Sequence, residues 1–309
     1  MSETEDGRLV IRDRIRRRMR LWRIGAFGLF VVACFVSFSV RNRPSGPHLV
    51  RMDVSGEIGS DVSRWTDALA EAEKDPSVKG LLLTINSPGG AVTGGEMLHD
   101  AIERFARKKP VAVSMGALGA SAGYMIAVPA QRIFAQSSTL TGSVGVIMQA
   151  PDVSGLLGKI GVNFDVLVSG PMKGQPSVVK PLSPEGREML QGVVLDMYDQ
   201  FVDIVARGRH MPQDRVRALA DGRPYTGRQA LKLGLIDAIG SRQEALVWLR
   251  HETKLPGSAK PDDIGDDQKK YDFVRRLLLR PSGLLSSVFP SGFMSMTPYV
   301  DGVMAIWKS

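Results

Sequence analysis

The chain has 309 residues, 43% of them hydrophobic and 23% charged, a composition that excludes a wholly disordered protein and allows a large buried core. Its net charge of +8 raises the question of a nucleic-acid binder, but about half of the excess lies in residues 1–23, which hold eight arginines against four acidic residues. The rest of the chain is only weakly basic, so we expect no nucleic-acid partner. The single cysteine, Cys34, excludes intramolecular disulfides and thiolate metal clusters, and we expect no metal or other cofactor.

The basic arm, residues 1–23, is followed by an uncharged run of 17 residues from Ile24 to Val40. At ~1.5 Å rise per residue, a helix of this length spans about 25 Å, just enough for the hydrocarbon core of a membrane. Arginines before the run outnumber those after it, which predicts a single-pass transmembrane helix, an N-terminus in the cytoplasm and the rest of the chain outside. A cleaved signal peptide and a lipoprotein signal ending at Cys34 are the alternatives.

Residues 41–47 contain two prolines and a glycine and predict a linker. Beyond it, strands alternate with helices, which predicts parallel βαβ units and an α/β fold. The predicted strands are 48–54, 80–85, 110–115, 132–135, 144–148 and 164–168. The predicted helices are 61–72, 95–106, 121–128, 184–207, 213–220, 228–233 and 242–250.

The longest predicted helix begins after the N-cap Ser183 and carries an apolar stripe that we expect in the core: Leu190, Val193, Val194, Met197, Phe201, Ile204 and Val205. Residues 254–270 are polar and read as a loop. The apolar tail 284–307 is interrupted by prolines, and we expect it to cover a partner subunit or to lie at the membrane surface. The predicted organisation is therefore an arm (1–23), a transmembrane helix (24–40), a linker (41–47), a folded domain (48–252) and a C-terminal extension (253–309).

Three turns at strand ends carry residues suited to acyl chemistry. In the first, Asn86 to Gly90, two successive glycines let backbone N–H groups face a ligand, as an oxyanion hole requires, although a plain β-turn has the same sequence. The second surrounds Ser121 with small residues at a predicted helix start, where the hydroxyl of a nucleophile could stand exposed. The alternative is a tightly packed helix in which Ser121 is merely small.

The third turn carries Lys173, 52 positions after Ser121 with no histidine between them. A serine hydroxyl needs a base to become a nucleophile, and none of the four histidines lies in a glycine-rich turn. Lysine acts as a base only in its neutral form, which requires a dry site, and most turn lysines are instead solvated surface charges. Ser143 offers a second hydroxyl that could orient the amine.

Four segments carry a resemblance to a known family: INSPGG (Ile85 to Gly90), GASAGY (Gly119 to Tyr124), LTGSVGV (Leu140 to Val146) and YTGRQALKLGLID (Tyr225 to Asp237). In sequence and in order they resemble the signature segments of signal peptide peptidase A, the S49 family of Ser/Lys proteases. The resemblance covers roughly residues 49–249. A single protease unit behind one N-terminal anchor is similar to the short bacterial form of the family.

The resemblance implies a ClpP/crotonase-like fold of repeated ββα units. It carries the nucleophile onto Ser121, the general base onto Lys173 and the lysine-orienting hydroxyl onto Ser143. It also implies oxyanion-hole N–H groups at Gly89 and Ala122 and substrate contacts at Gly90 and Tyr124. The chain departs from the family pattern at Ala122, where many members have glycine, and at Met125, where a second aromatic residue is common.

The activity that the resemblance implies is that of a membrane-anchored serine endopeptidase, which degrades cleaved signal peptides and similar apolar peptides. Its location would be the bacterial inner membrane, with the protease domain on the periplasmic side. Short members are similar to dome-shaped homo-oligomeric rings in which neighbouring subunits share a site. We therefore expect Ser121 and Lys173 to lie beyond hydrogen-bond reach in a lone chain.

Two other functions fit parts of the sequence. A crotonase-like acyl-CoA enzyme would share the fold, but it needs an acidic residue near the site, and neither GASAGY nor LTGSVGV contains one. A catalytically inactive membrane scaffold would also share the fold, but the presence of both Ser121 and Lys173 argues against it.

Overall fold

A computed structural model of the chain describes Trp22, Arg23, Gly25, Ala26, Gly28, Phe30 and residues 46–258, 260–265 and, for the backbone alone, 303–306. The chain divides into two compact units, Met1–Gly46 and Pro47–Ser309. Of the described residues of the first unit, the six between positions 22 and 30 are helical and Gly46 is not. The predicted transmembrane run falls mostly outside the described residues, and within them no helix has the length and apolar character needed to cross a membrane.

The second unit alternates strands and helices along most of its described length. Its strands are β1 (His48–Ser55), β2 (Val78–Ser87), β3 (Gly89–Ala91), β4 (Val111–Ala120), β5 (Arg132–Ala135), β6 (Leu140–Gly142), β7 (Ile147–Met148), β8 (Pro224–Thr226), β9 (Ala238–Ile239), β10 (Asp262–Ile264) and β11 (Val303–Ile306). Its helices are α1 (Ser63–Lys74), α2 (Val92–Ala106), α3 (Ala122–Met125), α4 (Ser154–Lys159), α5 (Pro184–Gly208), α6 (Gln213–Leu219), α7 (Gly227–Leu233) and α8 (Arg242–Thr253), with a 3-10 turn at Pro171–Gly174.

The main sheet has the strand order β10-β1-β2-β4-β5-β9, and all of these neighbours are parallel. Both faces of this sheet are covered, as the continuous apolar run of β2 requires. The larger core lies on one face and includes Leu81 and Leu83, while Leu82 belongs to a smaller core on the other face, where it joins Ala245 and Leu249 of α8. The predicted α/β fold with parallel strands is confirmed.

Strand β4 changes its partner part-way along. Residues Ala112 to Met115 pair with β5, whereas Leu118 to Ala120 pair with β6. At the same place the register against β2 shifts, since Ile85 pairs with Met115 but Ser87 pairs with Gly119. The extra residues of β4 form an irregularity that re-directs the end of the strand, as bulges commonly do beside active sites. Ser121 follows this end directly.

Residues 149–182, which we call the arm segment, include no buried residue. The strand predicted at 164–168 is wrong, because these residues form no strand and lie exposed.

The prediction that the apolar stripe of α5 lies in the core is correct only for the second half of the helix. Phe201, Ile204 and Val205 are buried as predicted, but Val193 is 39% exposed and Leu190 and Val194 are only partly covered. The periodicity predicted the helix correctly but not what packs against it, since none of the residues 187–200 is buried in the described chain.

The C-terminal extension adds two strands that the sequence did not reveal. Strand β10 lies inside the predicted loop 254–270 and pairs in parallel with β1. Strand β11 lies in the apolar tail and pairs antiparallel with β3 and with β7, forming a second, three-stranded sheet. The tail was expected to cover a partner subunit or a membrane surface, and its four described residues instead pair with strands of the same chain.

Candidate active site

Ser121 occupies a sharp turn between β4 and α3, with φ 55° and ψ −123°. This conformation is strained for a residue with a side chain, and such strain is concentrated at functional sites. The spacing Gly119-x-Ser121-x-Gly123 is that of a nucleophile elbow, in which a serine is exposed between a strand and a helix. The Ser121 N–H donates to the Gly142 carbonyl at 2.8 Å, and the Ser121 carbonyl accepts from the Tyr124 N–H at 2.8 Å. Both sides of the turn are therefore fixed by backbone hydrogen bonds.

The small residues around Ser121 have a packing reason. A Cβ atom at Gly119 would lie 2.8 Å from Met115 Sδ, and one at Gly123 would lie 3.0 Å from the Ser87 carbonyl oxygen. A Cβ at Gly95 would lie 3.0 Å from the Ala122 Cβ. Larger side chains would push these segments apart, so the elbow, the INSPGG turn and α2 approach closely only because of their glycines.

The Ser121 hydroxyl is buried and has no hydrogen-bond partner in the described part of the chain. Leaving a buried hydroxyl unpaired costs about 1–3 kcal/mol, so such a group calls for a functional explanation. The adjacent Ala122 N–H is the first of α3, and such first-turn N–H groups have no partner within their own helix. It makes no hydrogen bond to another described backbone group. A free hydroxyl and a free N–H thus stand side by side, as acyl transfer requires.

The INSPGG turn directs its two glycines differently. The Gly89 N–H donates to Ser87 Oγ at 3.1 Å, and the Gly89 carbonyl accepts from the Ile58 N–H at 2.8 Å. The Ala91 N–H donates to the Ile58 carbonyl at 2.8 Å. Because the backbone groups of a strand alternate in direction, the N–H and carbonyl of Gly90 face away from Ile58, towards β11. The predicted oxyanion donor, Gly89, is therefore engaged inside its own turn, whereas Gly90 faces the groove occupied by β11.

Gly90 can be nothing but glycine in this arrangement. Its φ is 156°, and a Cβ atom would lie 2.0 Å from the Ile58 carbonyl oxygen. The absence of a side chain at Gly90 therefore lets Ile58 approach one edge of β3, while the N–H and carbonyl of Gly90 face β11 at the other edge. The sequence analysis expects a substrate contact at Gly90, and the orientation of its N–H and carbonyl towards β11 is compatible with that role.

Lys173 lies in the 3-10 turn of the arm segment and is exposed. Since Ser121 Oγ has no partner among the described residues, the structure does not join the predicted dyad by a hydrogen bond within one chain. Ser143 is buried, has φ 50°, and its Oγ donates to the Gly222 carbonyl at 3.0 Å. It follows Gly142, the residue bonded to the Ser121 N–H, so the two serines belong to neighbouring turns.

Tyr124, for which the sequence analysis expects a substrate contact, is buried in the core of the described chain. Its side chain is fully buried, and its hydroxyl donates to the Leu235 carbonyl at 2.7 Å. Burial raises the pKa of the Tyr124 phenol above its ordinary value. Nearby, Arg209 pairs with Asp237 at 2.7 Å, and Asp237 also accepts from the Ile133 N–H at 2.8 Å. The YTGRQALKLGLID segment therefore supports the elbow helix from beneath.

No metal centre emerges from the side chains that the structure describes. Within that part of the chain, no group of three or more histidine, cysteine, aspartate and glutamate residues is arranged to hold an ion.

Comparisons with known proteins bear on the family of the chain. The family model described as Peptidase family S49 matches residues 103–256, and that described as Clp protease matches residues 50–154. A Synechocystis sp. protein named as a protease is 36% identical over 230 residues, which are 74% of this chain and 82% of that protein. An Enterococcus faecium protein named as a signal peptide peptidase SppA is 41% identical, covering 60% of this chain and 55% of that protein.

Protease 4 of Salmonella typhi is 32% identical and covers 80% of this chain, which spans 39% of Protease 4. Among solved structures, a ClpP1 mutant from Listeria monocytogenes aligns with a TM-score of 0.43 and 18% identity, over 63% of this chain and 93% of that one.

Proposed function

Because the chain belongs to peptidase family S49 and is a serine protease with a ClpP-like α/β fold, we propose that it is a membrane-anchored endopeptidase with a Ser121/Lys173 dyad. Its substrates in this proposal are cleaved signal peptides and similar apolar peptides. The observation that carries the proposal is the elbow, a strained, buried serine. Among the described residues its hydroxyl has no hydrogen-bond partner, and the adjacent Ala122 N–H has no backbone partner. The acyl-CoA and scaffold alternatives have no comparable support.

The mechanism is acyl transfer. Neutral Lys173 takes the proton of Ser121 Oγ as that oxygen attacks the substrate carbonyl carbon. The developing oxyanion is held by the Ala122 N–H and by an N–H of the INSPGG turn, for which the orientation of Gly90 suits better than that of Gly89. The lysine returns the proton to the leaving amine, and water then releases the acyl group. Because the Ser143 proton is engaged by the Gly222 carbonyl, its oxygen lone pairs remain to accept a lysine N–H.

The base reaches the nucleophile of a neighbouring subunit in this proposal. The arm segment that carries Lys173 exposes large apolar side chains, among them Leu156 at 62%, Ile160 at 65% and Leu167 at 91%. Several large apolar side chains exposed on one segment favour an association site, and a second copy of the chain is the occupant that the S49 resemblance implies. Burial against that copy would also supply the dry surroundings that a neutral lysine needs.

The location follows from the N-terminal sequence. The predicted transmembrane helix at 24–40 would anchor the protein in the bacterial inner membrane, with the protease domain on the periplasmic side. Signal peptides left in the membrane after cleavage would then lie close to the site. The name of the Enterococcus faecium relative supports this substrate class.

Two single variants and their mixture test the dyad. Ser121→Ala and Lys173→Ala, made in the full chain in detergent, should each lower turnover of a synthetic signal peptide by about 10³-fold or more. Co-assembled from equal amounts, the two inactive chains should regain roughly a quarter of the normal activity, because some sites then combine an intact serine with an intact lysine. Mass spectrometry of the products identifies the cleaved bonds.

The outcomes separate the parts of the proposal. Full activity of the Lys173→Ala chain would exclude lysine as the base. A mixture that assembles but regains nothing would place both residues of the dyad in one subunit. A serine-directed fluorophosphonate that fails to label Ser121 in the unchanged chain would favour the inactive scaffold.

A further inference from the structure

The face of the main sheet that α8 covers changes character along its strands. In one stretch it is apolar and packs with Leu249 of α8 through Leu49, Leu82 and Ala112. Because alternate residues of a strand share a face, the same face carries polar side chains further along: Asp53, Thr84 and Ser114. Beside the N-terminus of α8, an open cavity of about 480 Å³ lies over these strand ends. Parallel sheets normally bury both faces, so a polar and open stretch of one face is a candidate binding site.

Ser114 lines this cavity with a hydroxyl that lacks a partner. The residue is only 6% exposed, and its hydroxyl makes no hydrogen bond to the described part of the chain. A buried hydroxyl left unpaired costs free energy, which a ligand recovers by bonding to it. Arg242, in the first turn of α8, also lines the cavity and forms no ion pair with a described side chain. Within the described residues, the cavity therefore presents a hydroxyl and a cation that are both available to a ligand.

The two charged residues of the cavity lie at its opposite ends. Asp53 belongs to β1, whereas Arg242 follows Gly240, whose N–H donates to the Ala135 carbonyl at the end of β5. Strands β1 and β5 are separated by β2 and β4, so at ~4.8 Å between neighbours they lie roughly 14 Å apart. An extended peptide spans ~3.3–3.6 Å per residue, so three residues and the reach of the two side chains match this distance. Opposite charges at this spacing fit a molecule with an ammonium at one end and a carboxylate at the other.

We propose that the cavity is a second binding site, which takes short peptides of about three residues with free termini. Asp53 binds the ammonium, Arg242 binds the carboxylate, and the Ser114 hydroxyl bonds the main chain between them. One oxygen of the Asp53 carboxylate accepts from Ser55 Oγ at 2.7 Å, which orients the carboxylate. Peptides of this kind are what the proteolysis proposed above releases, so their origin, unlike their binding, rests on that proposed function.

The cavity also borders the segments that shape the elbow. Asn86 of the INSPGG turn lines it, and the Oδ1 atom of Asn86 accepts from the Leu118 N–H of β4 at 3.2 Å. Gly116 lines it too, and the Gly116 carbonyl accepts from Thr139 Oγ1 at 2.6 Å. Both hydrogen bonds fix the irregular end of β4 that leads to Ser121. A ligand that contacts Asn86 and Gly116 stabilises this arrangement, so its binding should organise the active site without occupying it.

Calorimetric titration of trialanine into the full chain in detergent tests the second site. The parent chain carries Ser121→Ala, so that no peptide is cleaved. We expect Arg242→Gln in this parent to weaken binding about tenfold, because it removes the cation that holds the carboxylate. Arg207→Gln, which changes an exposed arginine of α5 outside the cavity, is the control and should bind as the parent does.

A blocked peptide provides a second measurement that needs no change in the cavity. Trialanine with an acetylated N-terminus and an amidated C-terminus lacks both charges, and it should bind the parent about tenfold more weakly than free trialanine. Equal affinity of the three chains for trialanine, or of the parent for the two peptides, would overturn the proposal.

Turnover in chains that retain Ser121 separates this inference from the proposed function. Saturating trialanine should raise kcat for a signal peptide about twofold in the unchanged chain and should not raise it in the Arg242→Gln chain. An equal rise of KM in both chains, with kcat constant, would place trialanine in the substrate groove and contradict a second site. If the chain cleaves no peptide, the difference in trialanine binding between the Arg242→Gln and Arg207→Gln chains persists. If it cleaves peptides and all chains bind trialanine equally, the protease proposal stands and the second site is wrong.

Discussion

The surroundings of Ser121 and those of Lys173 differ in almost every physical respect. Ser121 is 1% exposed, its backbone is fixed by hydrogen bonds on both sides, and glycines hold three segments in close contact around it. Lys173 is exposed on a segment with no buried residue and with large apolar side chains facing outwards. One half of the proposed dyad is therefore placed by the core of its own chain. The other half lacks any core to place it.

This contrast indicates where each half gets its geometry. An elbow buried in the domain keeps its shape as long as the domain folds. Substitutions around it should therefore lower the free energy of unfolding. In the proposed assembly, an exposed arm segment takes its position from what it contacts outside the domain. Substitutions in it should therefore reduce self-association and peptide turnover and leave the free energy of unfolding unchanged. Substitutions can be chosen to separate the two.

The largest change in unfolding free energy is expected for a glycine in the closely packed region around the elbow. Gly94 lies in α2 beside the elbow, and a Cβ there would lie 2.0 Å from the Gly59 carbonyl oxygen. Gly94→Ala should lower the free energy of unfolding by about 1–3 kcal/mol, because backbone must shift. Gly192 in the exposed half of α5 has no atom within 4 Å of its Cβ position, and Gly192→Ala should raise stability by up to about 1 kcal/mol. Urea unfolding measures both free energies. Equal changes for the two variants would contradict the difference between the packed elbow region and the exposed segment.

A hydroxyl beneath the elbow comes next. Tyr124→Phe leaves the buried Leu235 carbonyl without its partner and should lower the free energy of unfolding by about 1–2 kcal/mol. Tyr198 is a suitable control, since its hydroxyl has no hydrogen bond to the described residues, and Tyr198→Phe should change stability little. An unchanged unfolding curve for Tyr124→Phe would mean that the hydroxyl does not support the elbow.

The smallest effect on the free-energy scale concerns the arm segment. Leu167→Ser changes a side chain that is 91% exposed, so the unfolding free energy of the isolated chain should not fall. Self-association and peptide turnover should each fall about tenfold, which corresponds to ~1.4 kcal/mol of lost contact between subunits. Val247, 55% exposed on α8 and outside the arm segment, provides the control substitution Val247→Ser. Sedimentation velocity and turnover measure the outcome, and equal assembly of the two variants would remove the arm segment from the interface.

The sequence predicted most strands and helices of the buried part of the domain well, because the residue patterns that indicate them are local. The apolar run of β2, the glycines of INSPGG and the cap Ser183, which accepts from the Gly186 N–H at 2.9 Å, each determine structure within a few residues. The turn at Ser121 could be located for the same reason. Its strain was not visible, because no residue pattern reports that a serine has a positive φ.

The predictions that failed concern partners distant in the sequence. Residues 164–168 have a strand-like pattern but pair with nothing in the described chain. Strand β11 is four residues long and pairs with β3 across more than 200 positions, so neither its length nor its neighbours could reveal it. The hydrogen bond from the Tyr124 hydroxyl to the Leu235 carbonyl likewise joins residues 111 positions apart, and no local pattern of the sequence predicted it.

The positive φ of Ser121 bears on the history of the chain as well as on its chemistry. Glycine would relieve the strain, which costs about 1–3 kcal/mol, and would also remove the unpaired hydroxyl. Ser121→Gly should therefore unfold at a higher temperature than the parent while cleaving nothing. A lineage that no longer needed to cut peptides would gain stability from one such mutation. Serine at this position therefore lowers the stability of a scaffold without any benefit, whereas an enzyme needs its hydroxyl.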